Sequence, residues 1–319
     1  MPSPSTALST LRPDLAGSFQ EFDLDMDARG FVAQRVLPAI DVAKPSGTFG
    51  KIKIASLLAQ RDTLRAPGSG YARQRYEFEK DSYATEEHGA EDAVDDKEAE
   101  MYGDYLNAEQ TATSRARDVV MRNYEQRVAT LLQTTGSFTN AAAATAWSTT
   151  ATAVPLTDIE TRVQAIWNAT GMKPNAIVIP FVAFRNLRNC AQVVDRIKYS
   201  GLHNPAAGAI GTEAIAQLLD IPNVIVAGAK KNGANEGQTA SLSNIWTATV
   251  VGIGVIATNN DIKAPCVGRT FHYSADGSKM GGTVETYREE QTRSDVVRVR
   301  MDTDEKLLYS ACWQLITGC

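Results

Sequence analysis

Residues 51–80 constrain this chain more than any other stretch. Two strand-like runs, Lys51–Leu58 and Arg73–Phe78, flank a tip at Arg65–Tyr71, where Pro67-Gly68 and Gly70 are turn formers. The pattern predicts a long hairpin with too few apolar residues to hold itself together, because an isolated two-stranded hairpin is marginal in water. Such a segment needs a neighbouring surface. Residues 1–50 share the need: Pro2, Pro4, Pro13, Pro38 and Pro45 interrupt short apolar patches such as Phe31–Leu37. They forbid long helices and predict an arm ordered only against something else.

Charge sharpens the picture. Residues 51–75 carry Lys51, Lys53, Arg61, Arg65, Arg73 and Arg75 against Asp62, whereas residues 77–104 carry twelve acids against Lys80 and Lys97. A charge run is ordinarily a solvated face. Adjacent segments of opposite sign, one unable to fold alone, instead suit a contact between identical copies, the basic hairpin of one over the acidic base of the next. The expected contact residues are the six cations just named, together with Glu86, Glu87, Glu91 and Asp92.

Asp95, with Glu98 as its capping-box partner, is expected to open a long helix. Its apolar stripe runs through Tyr102, Tyr105, Leu106, Ala112, Ala116, Val119, Val120, Tyr124, Val128, Leu131 and Leu132 and stops before Gly136. About 38 residues would make a rod of ~57 Å, too long for an ordinary domain helix. The small-residue stretch 139–155 reads as a boundary. Residues 156–265 then alternate helix and strand. Thr157 with Glu160 opens a helix that stops at Gly171, Ala176–Ile179 is a strand, and Pro180 starts a helix to about Asn189. Thr212 caps Glu213–Leu219, Val224–Ala227 is a strand, 229–240 is an exposed loop, and Ile245–Ala257 is a buried apolar strand. Residues 266–319 are strand-rich, with Thr283–Arg288, Asp295–Met301 and Leu307–Ile316 expected to pair antiparallel.

The motifs of chemistry are missing. There is no GxxxxGK[ST], no GxGxxG after a strand, no HExxH, no zinc-ligand spacing and no GxSxG. His88, His203 and His272 stand apart from one another and from cysteine. The Asp95/Asp96 and Glu86/Glu87 pairs are accounted for by a helix start. Cys190, Cys266, Cys312 and Cys319 form no CxxC pair and read as free thiols. No catalytic residue, cofactor or metal is expected. The net charge of −5 argues against a protein whose main task is gripping phosphates. The longest apolar run, about 11 residues at Thr247–Ala257, falls short of the ~20 a membrane helix needs, and the N-terminus lacks the pattern of a secretory signal.

The order of elements, with its local motifs, resembles the major capsid proteins of tailed bacteriophages over nearly the whole chain. The motifs are Thr63–Tyr71 (TLRAPGSGY), Tyr83–Gly89 (YATEEHG), Val94-Asp95-Asp96, Gly171–Asn175 (GMKPN) and Leu242–Trp246 (LSNIW). The resemblance implies an α+β phage major capsid fold. An N-terminal arm (1–50) and an extended hairpin loop (51–80) would precede a peripheral domain with its spine helix (81–155). An axial α/β domain (156–265) and the return strands of the peripheral domain (266–319) would follow. It implies hexamers and pentamers of one protein closing an icosahedral shell that encloses double-stranded DNA without sequence preference. Further implied partners are a portal protein and, since no long scaffolding segment precedes the arm, a possible separate scaffold, besides decoration proteins. Its place would be the virion, assembled in the bacterial host cytoplasm. Some members crosslink through a hairpin lysine; here Lys51 and Lys53 lie at the base while the tip offers Arg61 and Arg65, and a guanidinium is a poor nucleophile, so that chemistry should be missing. Two rival readings are the shell of a cargo-loading encapsulin nanocompartment, which shares the fold, and an α/β enzyme domain around 156–265 with a degenerate nucleotide site.

Overall fold

The computed structural model describes residues 10–11, 26–60, 63–71, 73, 75, 77–102, 107–200, 210–235, 237–275 and 277–319. The chain enters a first sheet at β1 (Thr10–Leu11) and β2 (Ala39–Val42). It leaves for a two-stranded excursion, β3 (Ser46–Ile52) and β4 (Phe78–Ala84), and returns in β5 (Glu86–Asp95). The short helix Asp96–Tyr102 precedes the long helix α1 (Ala108–Gln133). A second sheet is then built from β6 (Thr139–Ala142), α2 (Pro155–Thr170), β7 (Ala176–Pro180), α3 (Phe181–Asn189), α4 (Ala191–Ser200), α5 (Thr212–Leu219) and β8 (Asn223–Ala227). A ribbon of β9 (Lys230–Asn232) and β10 (Leu242–Asn244) leads to β11 (Val250–Gly254). The chain recrosses to the first sheet for β12 (Gly268–Tyr273), β13 (Thr283–Glu289) and β14 (Ser294–Leu307), then goes back to the second for β15 (Trp313–Thr317).

The first sheet runs β1-β13-β14-β12-β2, with β5 antiparallel on the other edge of β14, from Asp95 beside Ser294 to Glu86 beside Thr303. The second runs β6-β15-β11-β7-β8, parallel at each end and antiparallel between. Its central strands β7 and β11 are buried on both faces, which is why they read as unbroken apolar runs. In β7, Ala176 and Val178 join the core around α1, while Ile177 and Ile179 join the core under α2–α5. The glycines of β11 have a packing cause. Trp313 lies across Gly252 and Gly254, and a Cβ at either position would overlap its ring. The Trp313 indole N–H donates to the Leu132 carbonyl at the end of α1, 3.2 Å away, so one side chain joins the second sheet to the long helix.

Several expectations need correction. The long helix has 26 residues, ~39 Å. Asn107 caps it by accepting from the Gln110 N–H, and the Asp95 carboxylate accepts from the Lys97 N–H and so caps only the short helix. Tyr105, Leu106 and most of the arm (1–9 and 12–25) lie outside the described residues. Helix α2 starts at Pro155, and the Thr157 hydroxyl accepts from the Gln192 amide. Gly211, not Thr212, precedes α5, and the expected 229–240 loop contains β9. The apolar run Ile245–Ala257 contributes only the five residues of β11. The 139–155 stretch is not only a boundary, since β6 within it pairs parallel with β15. Leu307–Ile316 is not one strand; a 3-10 turn at Ser310–Cys312 separates β14 from β15. The paired hairpin strands overlap the predicted ones only at Lys51, Ile52 and Phe78, and Ile54–Leu57 is a helical turn.

Candidate assembly surface

The excursion pairs from Ser46 beside Ala84 to Ile52 beside Phe78. Beyond that point the chain still touches the body, Ile54 packing on the core under α2–α5 and Leu58 lying against Gly171, while the described residues from 59 to 77 are exposed. Leu57, Leu64, Tyr71 and Phe78 stay exposed, Leu64 at 88% and Tyr71 at 75%. Among the described residues the tip holds its own shape. Arg65 Nε donates to the Ser69 carbonyl at 2.7 Å, the Ser69 hydroxyl donates to the Ala66 carbonyl, and the Arg65 guanidinium covers the Tyr71 ring. Gly68 takes a left-handed φ of 85° that its lack of a side chain permits.

The ten charged residues expected at a contact divide into groups. Lys51 Nζ meets Asp81 at 3.2 Å and the Leu308 carbonyl, and Lys53 Nζ meets Glu77 at 3.0 Å. Glu77 and Asp81 were counted with the acidic base, but Asp81 is on the hairpin's own second strand and Glu77 directly precedes it. Glu91 takes a 2.6 Å bond from Arg298 and another from the Tyr287 hydroxyl, and Asp92 meets Arg115 at 3.4 Å. Arg288 clamps Asp96 through two 2.6 Å bonds and holds its carboxyl below the usual range. Arginines of α1, β14 and β13 therefore neutralise Asp92, Glu91 and Asp96. Arg65, Arg73 and Arg75 are exposed on the loop. Glu86 and Glu87 are exposed at the start of β5 and form no ion pair among the described residues. Arg61 lies outside the described residues.

Two polar clusters, one buried and one built on buried His272 and Ser278 with exposed Asp41, tie elements of the body together. Glu125, on the inner face of α1, is 1% exposed. Its carboxylate accepts the N–H groups of Val32 and Ala33 and the Trp246 indole N–H, the last at 2.6 Å. It thus pins the short helix Ala33–Val36 and the β10–β11 connection to α1. Burial pushes its pKa up, against the opposing pull of the three donors. Sequence reading passed it over, although an acid among Met121, Val128 and Leu132 on a buried stripe is a visible anomaly. The second cluster is Asp41, His272 and Ser278. His272 Nδ1 lies 2.9 Å from Asp41, and the Ser278 hydroxyl is 3.4 Å from Nε2 but donates to the Tyr273 carbonyl at 2.6 Å. With its proton so committed and both Ser278 and His272 buried, the cluster ties β2 to β12. Among the described residues, no group of three His, Cys, Asp or Glu could hold a metal, and no helix is long and apolar enough to cross a membrane.

A two-sheet body around one long helix, with an outlying hairpin loop, is the fold of phage capsid proteins. It matches, with a TM-score of 0.71 and 17% identity, a phage-related protein from Bordetella bronchiseptica RB50, covering 98% of each chain. The capsid of Myoviridae phage XM1 matches with a TM-score of 0.54 at 10% identity, over 91% of this chain and 92% of that one. In sequence, the chain is 26% identical over 228 residues to the major capsid protein of Burkholderia phage BcepMu, covering 69% of this chain and 70% of the relative. No protein-family model matches the chain. The resemblance to phage major capsid proteins, read from the order of elements, holds in both sequence and fold.

Proposed function

We propose that this chain is a phage major capsid protein whose copies assemble into hexamers and pentamers and close an icosahedral shell around double-stranded DNA. The observation that carries the reading is the 53–77 excursion, which leaves Leu57, Leu64 and Tyr71 in water. Burying Leu64 on a neighbour would contribute roughly 1.5–3 kcal/mol, and Leu57, less than half exposed, correspondingly less. Pairs between Arg65, Arg73 or Arg75 and a neighbour's Glu86 or Glu87 would add under ~1 kcal/mol each and mainly orient the contact. In this reading α1 with β5 and β12–β14 is the peripheral domain, the second sheet with α2–α5 is the axial domain, and the loop reaches across neighbours, whereas residues 26–42 of the expected arm pack into their own subunit. A portal, a separate scaffold and decoration proteins would complete a virion assembled in the host cytoplasm. With a net charge of −5 the shell tolerates DNA without gripping it.

The test is sedimentation and electron microscopy of the purified full chain at micromolar concentration. Capsomers or closed shells are expected, and a single compact species of 34.5 kDa would overturn the reading. Native particles that hold a protein cargo and no DNA would favour a nanocompartment shell instead.

A further inference from the structure

Two exposed apolar features sit at opposite ends of the parallel pair β7/β8. Where the chain enters these strands, α2 and the two leading turns enclose a groove of about 320 Å³ lined by Ile159, Val163, Trp167, Pro174, Leu219 and Ile221. Trp167 is 48% exposed there. Where β7 turns into α3, Phe181 and Val182 project into solvent, 53% and 45% exposed. Five strand residues at ~3.3 Å each put roughly 17 Å between the two ends, so a subunit cannot seat its own Phe181 in its own groove. The charges are complementary as well. Glu160 and Asp220 rim the groove, with Lys173 3.4 Å from Asp220. Arg185, one turn beyond Phe181 on the same exposed face of α3, forms no ion pair among the described residues.

A projection at one end and a matching recess at the other make a head-to-tail contact, and head-to-tail contacts that close generate rings. We propose that Phe181 and Val182 of one copy seat in the Trp167 groove of a second copy, with Arg185 against Glu160 and Asp220, and that this contact links the axial domains around each ring. The inference rests on the shell reading above and goes further by naming the two faces.

Phe181→Asp removes the projection at little risk to folding, because a carboxylate is favourable in the first turn of a helix. Trp167→Glu spoils the recess. Each variant alone should unfold at the wild-type midpoint yet sediment as a monomer. Mixed in equal amounts, the two should form a dimer through the one intact projection and recess, and nothing larger. Arg185→Glu should lower the yield of particles several-fold, and Glu160→Arg in the same chain should restore it. Normal shells from both apolar variants would overturn the inference and leave the shell reading standing. So would monomers that give no dimer on mixing, or a charge reversal with no rescue. A wild-type chain that stays monomeric would overturn the shell reading itself.

Discussion

The second sheet and the 53–77 excursion belong to one chain and follow opposite rules. The sheet's central strands are buried on both faces, and the glycines of β11 are fixed by a ring that lies against them. The excursion exposes its leucines and its tyrosine and satisfies its tip with a few local bonds. Stability therefore resides where the chain packs on itself, and in the proposed shell the capacity to associate resides on the surfaces it leaves exposed. Substitutions can break or sharpen this division, and the expected effects on folding descend from one region to the other.

The largest belongs to Trp313→Ala, which empties the space over Gly252 and Gly254 and frees the Leu132 carbonyl; a cost of ~3–5 kcal/mol is expected in urea unfolding of the dissociated subunit. Glu125→Ala comes next. It strands three buried donors and should cost roughly 2–4 kcal/mol, read in the same way. A loss as small as that of a surface change would show that water replaces the carboxylate.

The pH dependence is smaller, and its sign is determined. The pKa of Glu125 is raised in the folded state, so between its unfolded value and its folded value the native protein binds more protons than the unfolded one. Its contribution is fully present below the unfolded value, about 4.3, and is lost as pH rises through the folded value. Glu125→Gln should flatten that part of the profile of unfolding midpoint against pH, and an unchanged slope would assign it elsewhere. The smallest effect on folding belongs to the excursion. Reversing Arg65 and Arg73 to Glu should move unfolding by less than ~0.5 kcal/mol, yet lower particle yield, more so at low salt. Normal yields at both low and high salt would show that these charges only keep the loop soluble.

What could be read from the sequence follows the same division. Gly171 in a left-handed cap, Pro180 ahead of α3 and the apolar run of β7 are local signals, and each was legible. What failed depends on partners distant in sequence. Nothing in the alternation of Leu307–Ile316 says that β14 and β15 serve different sheets. Nothing in the acidic run says that Asp81 faces Lys51 while Glu91 faces Arg298. The stripe through Tyr102 and Leu106 joined two helices because periodicity does not register a capping residue, and Asn107 looked like any polar position. Glu125 was the exception: its anomaly was visible, but its three donors come from residues 32, 33 and 246.

The pairing of distant strands also sets a clock. Thr10 lies beside Thr286, Ala39 beside Thr270, Asp95 beside Ser294 and Thr139 beside Gln314. Loops of that length must close before any of these contacts rewards the chain, and folds dominated by such pairings form slowly. On the ribosome the excursion emerges early, whereas β14, which flanks β5 and packs under α1, emerges late. A nascent chain therefore displays the loop proposed to associate well before it has a finished surface to offer another copy. Slow closure of the first sheet would then act as a timer that keeps half-made subunits from joining.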